Sequence, residues 1–195
     1  MDSKAYIFYG PSGSGKGTQA KLLIKYLEEK RKKAVLYVET GQRFRDLLDS
    51  GTYTAKMVRE VIDKGGLLPA FLPIWTWTDF FNEKFNGTED LVLDGLCRRP
   101  IEAPVLDSAL KFYKIEKPTV IILDVSSDSI ISRLQERGRT DDTADYIKRR
   151  LDWYEQEVIP TIEFFRNSTD YTILDINGEQ PIEKVHQEIV NKINL

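Results

Sequence analysis

The sequence predicts an α/β fold: a five-stranded parallel sheet with helices on both faces. Two observations carry this. Five short apolar runs, starting near Lys4, Ala34, Leu91, Pro118 and Tyr171, alternate with stretches of helical periodicity. The first run leads into a glycine-rich turn and then directly into a helix. With 195 residues the chain suits one compact domain with small insertions.

Lys4–Tyr9 reads as the first strand and Gly15 to about Lys30 as the first helix, with Leu22, Leu23, Tyr26 and Leu27 on one face. Ala34–Val38 is the second strand. Thr40 then caps a short helix over Gln42–Asp49, which Ser50-Gly51 stops. Tyr53–Lys64 is helical and closes at Gly65-Gly66. Pro69–Phe85 forms a helix interrupted or started late by Pro73. Leu91–Gly95 is a buried strand ending in a carboxylate, followed by a helix from Ile101 to Tyr113. Pro118–Val125 is another buried strand. Ser126 or Ser127 caps a helix to Arg137, and a charged loop spans Gly138–Thr143. Ala144–Arg166 reads as one long helix bent at Pro160. Tyr171–Ile176 is the last strand and Pro181–Ile193 the last helix. No repeat, low-complexity tract or linker divides the chain.

Composition narrows the function classes. Lys and Arg number 28 against 31 Asp and Glu, a net charge of −3, which argues against nucleic acid as a main partner. Any phosphate-binding arginines must therefore be clustered locally. The single cysteine, Cys97, excludes a disulfide framework and a cysteine-ligated zinc site within one chain. No apolar run is long enough to span a bilayer, and the N-terminus enters a strand with no visible signal peptide. The expectation is a cytoplasmic protein with no membrane partner.

The turn Gly10-Pro11-Ser12-Gly13-Ser14-Gly15-Lys16-Gly17-Thr18 has the spacing and context of a phosphate-binding loop. Glycines let the backbone wrap so that successive N–H groups meet a phosphate, and the following helix adds its positive end. Lys16 supplies a mobile cation. The hydroxyl that normally follows the lysine is displaced: Gly17 comes first and Thr18 second. Metal contact then runs more through water and substrate oxygens. Asp94, at a strand end, reads as the acid that orders Mg2+ and its waters; the alternative is a helix cap. Arginines recur at the candidate loops, at positions 45, 98, 99, 133, 137, 139, 149 and 150. Phosphoryl transfer needs several cations around the oxygens on which charge spreads, and arginine binds phosphate as a fork. No nucleophile or general base stands out, and His186 reads as a surface residue. An acceptor that is already an anion needs no base.

The ordered motifs resemble the adenylate kinases and related nucleoside monophosphate kinases, members of the P-loop NTPase fold. The resemblance covers nearly the whole chain. It rests on Gly15-Lys16-Gly17-Thr18-Gln19, Thr40-Gly41 with Arg45, and Lys64–Pro69. It continues through Leu93-Asp94-Gly95-Leu96-Cys97-Arg98 and Gly138–Asp142, with Arg150 on the following helix. It implies reversible transfer of the terminal phosphoryl of Mg-ATP to a monophosphate, most simply AMP, by a monomer without zinc. It implies an acceptor segment over 40–69 and a short lid over 133–142. Gly13, Ser14, Gly15, Lys16, Gly17 and Thr18 would hold ATP phosphates, with Thr18 a possible metal contact. Arg133 would lie on the ATP base and Arg137 on its phosphates. Gln180 would meet the base through its main chain. Thr40, Arg45, Gly66, Leu67, Leu68, Gly95, Arg98, Glu102, Arg139 and Arg150 would surround the acceptor. The catalytic set would be Lys16, Arg98, Arg137, Arg139 and Arg150.

Three residues depart from the family pattern: Gln42 for an acid, Cys97 for a proline and Glu102 for the glutamine that reads adenine. A glutamine amide both donates and accepts, whereas an ionised glutamate only accepts. Glu102 therefore leaves CMP, UMP or GMP open as the acceptor, unless it points elsewhere or the register slips by one. A binding module that has lost transfer is the alternative from another class. Trp75, Trp77, Phe80 and Phe81 read as core packing rather than base stacking.

Overall fold

The computed structural model describes residues 3–63, 68–138 and 143–193. Five parallel strands form one sheet in the order β2-β3-β1-β4-β5: β1 (Ala5–Tyr9), β2 (Val35–Glu39), β3 (Asp90–Asp94), β4 (Thr119–Asp124) and β5 (Thr172–Asn177). Alternation along β1 divides the core in two. Ile7 and Tyr9 face a layer containing Trp77, Phe81, Leu106 and Phe165. Tyr6 and Phe8 face the opposite layer with Leu23, Leu27 and Ile189. The first layer comes from α4 (Phe71–Lys84), α5 (Ala103–Phe112) and α8 (Ile159–Arg166). The second comes from α1 (Lys16–Arg31) and α9 (Ile182–Ile193). Trp77 is fully buried, as core packing requires, while Trp75 on the same helix is half exposed.

The chain leaves β1 for one side of the sheet and later crosses to β4 on the other, so β1 lies where the winding reverses. A crevice opens at the carboxyl ends of strands at such a point. On the β2 side it is lined by α2 (Thr40–Asp49), against which α3 (Tyr53–Asp63) packs, and on the β4 side by α6 (Ser127–Arg137) and α7 (Ala144–Trp153).

Three local readings change. Glu39, not Thr40, is the extended residue before α2, and Thr40 is its first helical residue. Its hydroxyl instead donates to the Gly95 carbonyl at 3.0 Å, joining α2 to the end of β3. The helix expected from Ile101 starts with a 3₁₀ turn over Pro100–Glu102. The long helix after Ala144 is interrupted by one π-helical turn, Tyr154–Val158, upstream of Pro160. Proline has no N–H for the carbonyl four residues back and its ring crowds that carbonyl, so the wider turn absorbs the mismatch.

Asp90 anchors the other end of the sheet. It is fully buried, accepts the Lys4 N–H at 2.9 Å and pairs with Arg31 and Lys33. Removing the carboxylate leaves largely buried cations uncompensated. Asp90→Ala should lower the unfolding free energy by about 3 kcal/mol in urea titration, with catalytic parameters of the folded fraction unchanged.

Candidate active site

Gly10–Lys16 wraps from the end of β1 into α1. Gly15 stands just before α1 with φ 95° and ψ 10°, a left-handed conformation that glycine takes without strain. A Cβ at Gly13, whose φ is 89°, would come within 2.9 Å of the Leu134 side chain, so its missing side chain is also what lets α6 pack onto the loop. Lys16 folds back over the loop, its Nζ donating to the carbonyls of Gly10 at 2.7 Å and Pro11 at 2.8 Å. Burial lowers the Lys16 ammonium to about 8. Asp94 opposes the shift, and Arg98 and Arg137 reinforce it.

Asp94 ends β3, opposite Glu39 on β2, and is 8% exposed. Tyr37 donates its hydroxyl to Asp94 Oδ2 at 2.9 Å. Burial and the neighbouring carboxylate push the Tyr37 phenol far up, so it remains a donor at any working pH. The chain then turns sharply: Gly95 (φ 71°) and Cys97 (φ 55°) are both left-handed. This turn brings Arg98 Nε to 2.6 Å from the Gly95 carbonyl. A proline, locked near −65°, could not adopt the conformation of Cys97.

Two adjoining cavities, of about 380 and 490 Å³, occupy the crevice. Lys16, Arg45, Arg98 and Arg137 line both, together with Ser12 and Gly95. Arg150, Arg99, Trp153 and Tyr154 close the smaller one. Gly13, Gly15, Gly17, Thr18, Asp94 and Arg133 belong to the larger. Cations from α1, α2, α6, α7 and the β3 turn thus converge on one crevice, in a chain whose net charge is −3.

Other contacts brace this crevice from around it. Arg133 donates to the Gly178 carbonyl at 2.9 Å and lies 3.6 Å from Glu179. Gln180 bonds its side chain to the Asn177 carbonyl and to Glu188. The Leu68 carbonyl accepts from Arg99 at 3.2 Å. Ser14 is buried with its hydroxyl unpartnered. Glu102 is 1% exposed and lines neither cavity. Burial raises its carboxyl to about 7, against the pull of Arg98 and of the Arg98 and Arg99 backbone N–H groups. Gly66, Leu67 and Arg139 lie outside the described residues. His186 is part-buried, edge-on to Tyr26 and remote in sequence from every cavity-lining group.

The sequence model of the adenylate kinase family matches residues 8–170. The chain belongs to the adenylate kinase family. It is 32% identical to "Adenylate kinase 1" of a Nostoc species over 94% of this chain and 95% of the relative. It is 31% identical to the adenylate kinase of Corynebacterium aurimucosum, over 93% and 94% of the two chains. It is 32% identical to that of Mycolicibacterium vanbaalenii, over 89% and 91%. Membership makes it an ATP-binding phosphotransferase of the nucleoside monophosphate kinase type. Among the described residues, no helix is long and apolar enough to cross a membrane.

As an adenylate kinase relative, the chain carries cavity residues that motif reading passes over. Tyr37 and Glu39 line the larger cavity, and both sit in a strand whose apolar run hides them. Their spacing of two, ending opposite Asp94, is the available signal. Trp153 and Tyr154 reach the smaller cavity from the junction of α7 and the π turn, a feature no periodicity marks.

Two titrations follow. The folded state lowers Lys16 from 10.5 to about 8, so anion binding takes up a proton above pH 8, and ATP affinity measured by calorimetry should fall there by up to about tenfold per pH unit. Glu102 moves the opposite way, from 4.5 to about 7. Its contribution is full below pH 4.5 and lost as pH rises through 7. Glu102→Gln should therefore be more stable than wild type at pH 8, by on the order of 2 kcal/mol, and equally stable at pH 4.5 in urea melts.

Proposed function

We propose that this protein transfers the terminal phosphoryl group of Mg-ATP reversibly to AMP, in the cytoplasm and as a monomer. The observation that carries the reading is the shared wall: Lys16, Arg45, Arg98 and Arg137 each face both cavities. Two nucleotides bound tail to tail would place their reacting phosphates at that wall.

In this reading the loop from Gly13 to Thr18 and Lys16 hold the donor phosphates. Arg133 and Gln180 lie towards the donor base. Arg45 and Arg150 grip the acceptor phosphate, and Arg98 and Arg137 follow the moving group, with Arg139 in the same role. Charge spreads over the oxygens of the transferred group, and fixed cations in a partly dry crevice stabilise it more than water does. The acceptor phosphate is already anionic, so no side chain has to remove a proton. The segments over 40–69 and 133–142 serve as acceptor-binding part and lid, closing to exclude water.

The residues fit a magnesium ion bound mainly through substrate and water. Mg2+ with nucleotides takes one or two carboxylates and keeps several waters, and Asp94 opens into the larger cavity beside Thr18. A Cβ at Gly17 would come to 3.3 Å from Asp94 Oδ2, so the glycine preserves room beside that carboxylate. When bound, the ion would neutralise developing phosphate charge; Asp94 would hold its water shell, with Thr18 in reach.

AMP as acceptor is supported by the printed names of the relatives. Glu102 supports a second reading, another base, only if its carboxylate turns into the acceptor cavity. Its burial under the Arg98 turn favours the first reading. A neutral Glu102 would, moreover, present one donor and one acceptor, as an amide does.

An acceptor panel of AMP, GMP, CMP and UMP should give AMP the highest kcat/KM in both wild type and Glu102→Gln, with the others at least about tenfold lower. Preference for another base in wild type would overturn the AMP reading. A changed rank order in Glu102→Gln would assign that residue to the base. Lys16→Met and Arg98→Ala should each lower kcat by about 10²–10³ in folded protein; rates within twofold of wild type would contradict the shared-wall mechanism.

A further inference from the structure

Helix α3 is described as far as Asp63. Its Ile62 carbonyl accepts a hydrogen bond of 3.1 Å from the Tyr146 hydroxyl. Tyr146 lies 84 positions further on, in the first turn of α7. Its own N–H is held by the Thr143 hydroxyl that caps α7. The next residue, Ile147, is buried against Ile130 and Leu134 of α6. The phenol is therefore mounted on a fixed base.

Its ring also meets two cations. The guanidinium of Arg149 lies 5.0 Å from the ring centroid and that of Arg150 lies 6.0 Å from it, both within cation–π range. Arg150 lines the smaller cavity. One side chain thus meets α3 with its hydroxyl and the cavity arginine with its ring.

We infer that Tyr146 is a positioning residue that ties α3 to Arg150, so that engagement of the acceptor-side helices and placement of Arg150 are one event. The inference rests on the reading of α2 and α3 as the acceptor side. The two contacts use different parts of the side chain and can be separated by substitution. Phenylalanine keeps the ring and removes the hydroxyl bond; alanine removes both.

The test uses whichever monophosphate the wild-type enzyme accepts best. Tyr146→Phe should raise the acceptor KM about three- to tenfold, as loss of one hydrogen bond predicts, and leave the ATP KM within twofold. Tyr146→Ala should add a fall in kcat of at least about tenfold, because Arg150 loses its platform. Amide exchange in ligand-free protein should speed up in the turn of α3 around Ile62 in both variants and stay constant in the central strands. An unchanged acceptor KM in Tyr146→Phe overturns the tie, as does an equal rise in both KM values, which would mark general loosening. An unchanged kcat in Tyr146→Ala overturns the placement of Arg150. If wild type uses no monophosphate, the acceptor reading fails by itself. Exchange in α3 then still decides the hydrogen bond: unchanged rates in Tyr146→Phe end it.

Discussion

Positive charge held at the carboxyl ends of the strands is the constraint on which the molecule turns. Cations in a crevice repel one another and lose hydration, and the lowered Lys16 ammonium records that cost. The means of holding them matters. Lys16 rests on the carbonyls of Gly10 and Pro11, Arg98 on that of Gly95, and Arg133 on that of Gly178. A carbonyl supplies a dipole but no full charge, so it orients the cation without neutralising it; full carboxylates stand further off, Glu179 at 3.6 Å from Arg133 and Glu39 at 3.6 Å from Arg45. Three of these four carbonyls come within a residue of a strand end, where the parallel ladder has run out of partners. The sheet thus produces both the crevice and the acceptors that brace its walls.

Backbone geometry at the β3 end follows from the same need. Arg98 reaches the wall only because the chain reverses through two left-handed residues, Gly95 and Cys97. Gly95 takes that conformation freely, whereas Cys97 takes it at a cost of about 1 kcal/mol. Its burial, with the Tyr9 hydroxyl donating to its carbonyl at 2.9 Å, is what holds it there. Thr40 completes the bracing from the β2 side by bonding the Gly95 carbonyl that Arg98 also uses. Displacing any one of these groups would be felt by the other two.

These interactions also explain what could be read from the chain beforehand. The loop from Gly10 to Thr18 was legible because backbone constraint and chemistry coincide in its glycines. The three central strands were legible because burial on both faces leaves little but apolar residues. The arginines were legible as a set only through motif order, since convergence of α2, the β3 turn, α6 and α7 is a property of the sheet winding. Tyr37 was not legible: a tyrosine in an apolar strand looks like core until its neighbour on β3 is known. The cap assigned to Thr40 failed because Glu39 holds the extended position before α2, while the Thr40 hydroxyl acts as a donor to the Gly95 carbonyl just past β3. Proline marked where the helix ladder after Ala144 would be disturbed, but not the π turn over Tyr154–Val158, because proline forbids a bond without saying which residues absorb the loss.

Glu102 shows how burial can turn a charged residue into part of the electrostatic design. An ionised carboxylate beneath Arg98 would compensate the guanidinium from behind and weaken its field in the cavity. Burial instead keeps the acid near the midpoint of its titration at neutral pH, so much of the population carries no charge there. The Arg98 and Arg99 N–H groups still have an oxygen to face in either state. A glutamine at this position would supply the same oxygen without the titration, so the glutamate makes the field behind the cavity wall depend on pH where an amide would not.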